Sequence, residues 1–238
     1  MQLKRHTAIS GTGRAGTTFL ISLFHELGLD VGDINPNKLS TLSYGGLELN
    51  IFDEDAPYIV KSPALCDQIE IIVGSKEVTL DLLIIPIRDL RDAAESRRRV
   101  TRLGHYYGGI LGSFSLLPGI QENLLSKKLY KLVYFASSAS IPIIFLQFPK
   151  FAKEKEYLYS NLEKFLLSKK INYSQFSTAF EKMYKAERIH KFSSKLNIIQ
   201  ILGDLYLTII LILKSCTNRI RVILKIKQRI KDLIDRNR

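Results

Sequence analysis

Cysteine is nearly absent from this chain: Cys66 and Cys216 are the two in 238 residues. Two thiols cannot build the disulfide framework of a small secreted scaffold, nor a four-ligand zinc site, and a reducing compartment is expected. Acid is also short, with Asp+Glu 23 against Lys+Arg 35 and a formal net charge of +12. No internal repeat and no low-complexity tract is visible. Hydrophobic residues at 46% exclude the disordered and collagen-like classes. The opening Met1-Gln2-Leu3-Lys4-Arg5-His6 leads into a short apolar run and a glycine-rich loop rather than an h-region, so no signal peptide is expected.

What is present starts with the charge. An excess of cations asks for an anionic partner: nucleic acid, a phosphorylated cofactor or a membrane surface. Residues 214–238 hold nine Lys/Arg and two acids, so +7 belongs to the tail and +5 to the preceding 213 residues. The length suits one substantial domain with an appendage.

Residues 6–10 read as a short buried strand. Phe19, Leu20, Leu23, Phe24 and Leu27 then repeat at helical spacing, and Gly28 is a natural stop. Residues 29–57, rich in Asn, Asp, Pro and Gly, look like a long functional loop. Residues 58–61 read as a second strand. The unbroken apolar run 80–87 reads as a central parallel strand buried on both faces. A polar helix follows over 89–99, a glycine-punctuated loop around 104–112, a helix over 120–137, a buried strand over 141–146, and one or two helices over 153–184. Alternation of strand and helix predicts an α/β domain, helices flanking a parallel sheet, over residues 1–188, with a helical tail over 189–238.

Gly11-Thr12-Gly13-Arg14-Ala15-Gly16-Thr17-Thr18 joins the first strand to the first helix. Such a junction is an anion site in waiting, because first-turn amides point outward and glycine lets phosphate oxygens approach the backbone. A turn that binds nothing is the alternative. A nucleoside-triphosphate loop needs G-x-x-x-x-G-K-[ST]. Gly11 and Gly16 have that separation, but Thr17 stands where the lysine belongs and Arg14 is the cation instead. The 80–87 strand also runs into Arg88 before Asp89, so no strand-end acid is placed to hold magnesium.

Gly13-Arg14-Ala15-Gly16-Thr17-Thr18 resembles the 5′-phosphosulfate loop of the sulfotransferase family. A second motif of that family, an arginine at a strand end and a serine eight residues on, is matched by Arg88 and Ser96. Gly45-Gly46-Leu47-Glu48, Val60-Lys61-Ser62-Pro63 and Leu146-Gln147-Phe148-Pro149-Lys150 with Tyr157-Leu158-Tyr159 extend the likeness to bacterial glycan and small-molecule sulfotransferases over residues 6–180. The resemblance implies a P-loop-type sheet and a cosubstrate, 3′-phosphoadenosine-5′-phosphosulfate (PAPS). Arg14, Ala15, Gly16, Thr17 and Thr18 would hold its 5′ end, and Arg88 with Ser96 its 3′-phosphate. No metal enters the scheme. A sulfuryl group would pass in line to a hydroxyl, with Arg14 stabilising the leaving oxygen.

Lys61 matches a lysine near the active site of the family; a solvated strand-end lysine is the alternative. For Arg88 and Ser96 the alternatives are a surface charge and a solvent-facing helix residue. Where many relatives carry a histidine base, Pro63 stands here. Glu48 is the best candidate for the base, with Asp53, Glu54, Asp55 and His105 as others. His25 reads as an ordinary half-buried helix residue. Arg91, Arg97, Arg98, Arg99 and Arg102 read mainly as a solvated face, with Arg97 and Arg102 kept as rim contacts, and Lys150 as a further donor contact.

Residues 196–213 are apolar, but insertion comes out marginal. Twelve Leu/Ile contribute about −4 to −7 kcal/mol while a central Asp204 costs about 3. Residues 220–236 set Ile220, Ile223, Ile226, Ile230 and Leu233 against Arg221, Lys225 and Arg229, the pattern of a basic helix on an anionic membrane. Docking on the domain or on a second copy is the alternative, so a homo-oligomer stays open. Nucleic acid is not expected, since no aromatics interleave these cations. The expectation is a cytoplasmic PAPS-dependent sulfotransferase acting on a hydroxyl of a glycan or envelope-associated molecule, with peripheral membrane contact through 196–238. Its alternatives are an atypical P-loop nucleotide kinase and an inactive membrane-surface anion-binding module.

Overall fold

Parallel strands need cover on both faces, and the apolar runs of this chain find it. The computed structural model describes residues 3–33, 47–100 and 118–184. Within them lie β1 (Lys4–Ile9), α1 (Thr17–Glu26), β2 (Ile59–Lys61), α2 (Leu65–Val73), β3 (Val78–Ile87), α3 (Leu90–Val100), α4 (Pro118–Ser138), β4 (Ile143–Gln147), α5 (Lys150–Lys153), α6 (Lys155–Ser168) and α7 (Tyr173–Met183). The four strands form one all-parallel sheet in the order β2-β1-β3-β4. The protein is therefore α/β, a parallel sheet flanked by helices. Gly45, Gly46, Arg102, His105, the side chains of Arg97, Arg98 and Arg99, the boundary near 188 and the tail over 189–238 lie outside the described residues. Among the described residues, no helix is long and apolar enough to cross a membrane.

Strand alternation sorts the core into two layers. Ile9, Ile59, Ile84 and Leu146 face one way and meet Leu20, Leu23 and Phe24 of α1, Phe151 of α5, Leu158 and Leu162 of α6, and Phe176 and Phe180 of α7. Ala8, Val60, Leu83 and Ile85 face the other way and meet Leu65 and Ile69 of α2 and Leu132 and Ala136 of α4. β3 lies between β1 and β4, which is why its sequence is unbroken apolar from Leu82 to Ile87. β4 departs from expectation. Only Leu146 of its five residues is buried, and Phe145 is 43% exposed, because β4 has a strand partner on one side alone among the described residues. The 153–184 stretch resolves into α6 and α7, the latter started by a capping box in which Asn172 and Gln175 bond each other's backbone N–H, both at 3.0 Å. His25 is exposed rather than half-buried.

Two left-handed glycines bound α1. Gly28, at φ 72°, closes α1 with a Schellman pair: its N–H donates to the His25 carbonyl and Leu29 N–H to the Phe24 carbonyl. Gly16, at φ 82°, opens the same helix, and a Cβ there would lie 2.7 Å from Phe151 Cζ and 2.8 Å from Phe148 Cδ2. At Gly28 a Cβ would meet nothing within 4 Å. Gly28→Ala should therefore cost only the left-handed backbone, about 1–2 kcal/mol. Gly16→Ala adds a clash with two rings and should cost about 1–3 kcal/mol more. Urea unfolding of both variants measures the difference; equal losses would show that the aromatic wall yields freely.

Candidate functional site

The sheet order places the site. β1 connects to β2 on one side while β3 lies on the other, so the crevice beyond the carboxyl ends of β1 and β3 is the switch point where α/β sheets accept ligands. Register aligns Ile9 with Lys61 and with Ile84, and β3 runs on to Ile87. The loop after β1, the end of β2 and Arg88 after β3 thus meet at one edge. The loop lies against β3, where a Cβ on Gly11 would come 3.3 Å from the Pro86 carbonyl oxygen.

Arg14 sits at φ 56°, in the left-handed region despite its side chain. Its Nε donates to Ser96 Oγ at 3.1 Å. Arg88 Nη1 donates to the Arg14 carbonyl at 3.0 Å, and its guanidinium carbon lies 5.1 Å from the centre of the Phe148 ring. Asp92, in the first turn of α3, approaches Arg88 Nη2 at 3.8 Å. On the other side, Lys61 Nζ donates to Thr18 Oγ1 at 3.0 Å and to Glu48 Oε1 at 3.1 Å. Arg88 and Ser96 are buried, at 8% and 1% exposure, and Lys61 is at 1%. The surface-charge reading of Arg88, the solvent-facing reading of Ser96 and the solvated reading of Lys61 are all set aside by this burial.

No family model, no curated protein and no solved structure matches this chain.

Three cations drawn out of water at one edge carry an electrostatic cost. Burial holds the Arg14 guanidinium below its ordinary range, and repulsion from Arg88 adds to the shift. Burial likewise lowers Arg88, with Asp92 and Asp89 opposing. Lys61 is lowered by burial, opposed by Glu48 and pushed further down by Arg14. Cations that depress one another, with the serine and threonine hydroxyls and the α1 amides at the same edge, form a donor set that fits phosphate or sulfate oxygens.

The candidate bases separate cleanly. Glu48 stands at Lys61 on the site edge, its side chain 47% exposed. Lys4, at the start of β1, donates instead to the backbone carbonyls of Asp53 and Glu54, at 3.0 and 3.2 Å. That ties the turn carrying Asp53, Glu54 and Asp55 to the opposite end of the sheet, about 16 Å away for five residues of strand. Lys150 is engaged by the Tyr157 ring, 4.6 Å away, and by Glu154.

Sequence reasoning missed two supports. Phe148 and Phe151 wall the loop at Gly16, a role that aromatic residues directly after a strand end could have suggested. Cys66 Sγ donates to the Gly11 carbonyl at 3.3 Å, and burial pushes its thiol up to about 11; nothing in its sequence position marks it.

The Lys61–Glu48 pair generates a titration. A lysine lowered by burial loses its charge at a pH below the ordinary lysine range, and Glu48 is what limits the fall. Glu48→Gln should therefore move the Lys61 midpoint further down, read from the Cε carbon resonance. An unchanged midpoint would mean that Glu48 is electrostatically silent.

Proposed function

We propose that this protein is a sulfotransferase-like enzyme that moves a sulfuryl group from PAPS to a hydroxyl, on a glycan or other envelope-associated molecule. The observation that carries the reading is the meeting of two motifs 74 to 82 residues apart, through the Arg88–Arg14 and Arg14–Ser96 hydrogen bonds at the β1/β3 switch point. An isolated phosphate-binding turn would not need the second motif at its side.

The donor supplies an activated sulfuryl group, whose S–O bond to adenosine 3′,5′-bisphosphate breaks as the acceptor oxygen attaches to sulfur. Glu48 takes the proton of the acceptor hydroxyl. Arg14 and the first amides of α1 face the oxygen that gains charge, and Lys61, carried on a rigid strand end, adds a cation beside it. Arg88 and Ser96 hold the 3′-phosphate.

Calorimetry should show adenosine 3′,5′-bisphosphate binding in preference to ATP with magnesium. Arg14→Ala or Arg88→Ala should weaken it by about 10- to 100-fold, the worth of a charge-assisted hydrogen bond. Preference for ATP favours a nucleotide kinase. Bisphosphate binding without transfer to any of a panel of hydroxyl acceptors favours an anion-binding module.

The basic segment after residue 213 supports a peripheral membrane location at the cytoplasmic face, through residues 196–238. Vesicles containing anionic lipid should bind the full chain and lose it when these residues are deleted. Retained binding would remove the tail from the proposal.

A further inference from the structure

In the family resemblance Arg88 and Ser96 serve one end of the ligand and Arg14 the other, as separate contacts. The geometry joins them. A left-handed backbone at a residue with a side chain persists only where its surroundings hold it, and Arg88 takes hold of the Arg14 backbone through Nη1 to the Arg14 carbonyl at 3.0 Å. Ser96 accepts from Arg14 Nε at 3.1 Å and so aims the side chain. Backbone and guanidinium of one residue are thus both gripped from the β3–α3 junction. Arg88 itself is braced by the Phe148 ring and by Asp92. The same ring passes so close to Gly16 that a Cβ there would lie 2.8 Å from it. One aromatic side chain therefore spans both motifs.

We propose that Arg88 and Ser96 are positioning residues for Arg14, so that the β3–α3 junction sets the 5′ end of the anion site as well as the 3′ end. The identity of the ligand rests on the sulfotransferase reading; the positioning itself does not. A ligand without a 3′-phosphate should then still sense Arg88.

Two measurements decide it. In ligand-free protein labelled with nitrogen-15, the Arg14 Nε–H resonance, assigned by its loss in Arg14→Lys, should exchange slowly with solvent. It should exchange about tenfold faster or more in Arg88→Met, although Arg88 does not bond that proton. Adenosine 5′-phosphosulfate, which lacks the 3′-phosphate, should bind Arg88→Met and Ser96→Ala about tenfold or more weakly than the unmodified chain. Unchanged Arg14 exchange in Arg88→Met, or unchanged affinity for this 5′-only ligand in both variants, overturns the proposal. Thermal unfolding establishes that each variant is folded; should Arg88→Met fail, Ser96→Ala carries the affinity test, since it removes a single oxygen. If neither nucleotide binds the unmodified chain, the sulfotransferase reading falls while Arg14 exchange still judges the positioning.

Discussion

The hydrogen bond from Arg88 to the Arg14 carbonyl is the contact on which the organisation of this edge depends. It spans the gap between β1 and β3, which in a β2-β1-β3-β4 sheet is the point where connections diverge and leave a crevice. It also joins two residues of like charge, which the protein must otherwise keep together against their repulsion. Removing an ion from water costs several kcal/mol even after relaxation, in a molecule whose net stability is expected to be about 5–15 kcal/mol. Both faces of the sheet are closed by apolar layers, and Arg14, Arg88 and Lys61 gather at the one end those layers leave open.

Much of this was readable in one dimension. Alternation and apolar runs are local properties, so β1, β3 and α1 emerge from the residues within a turn or two of each position. The eight-residue step from Arg88 to Ser96 and the step from Gly11 to Gly16 are likewise local. The register that sets Ile9 beside both Lys61 and Ile84 is not, because it depends on lateral pairing between segments dozens of residues apart. β4 shows the same limit from the other side: its apolar composition implies burial, but exposure follows from having one strand neighbour among the described residues.

The loop carboxylates illustrate how a fold separates residues that spacing leaves equivalent. Glu48, Asp53, Glu54 and Asp55 are equivalent in composition and lie within eight positions. Leu49 N–H donates to the Lys61 carbonyl, so the chain runs beside β2 and its direction separates the carboxylates. Glu48 is left at the carboxyl edge, whereas the turn over Asp53 and Glu54 reaches the amino end and meets Lys4. A single main-chain pairing thereby assigns one acid to the site and removes its neighbours.

Burial also decides which part of a strongly basic chain can discriminate among anions. An exposed cation such as Arg91 is described by a screened field, felt over about 10 Å at 0.1 M salt, and attracts any anion alike. Lys61 and Arg88 are almost withdrawn from solvent, and Arg14 is gripped at both backbone and side chain. Their interactions are screened less and their directions are fixed, so an anion must place its oxygens where those donors already point. A net charge of +12 measures attraction; selectivity needs cations whose directions are fixed, and the sheet edge holds three such cations in place.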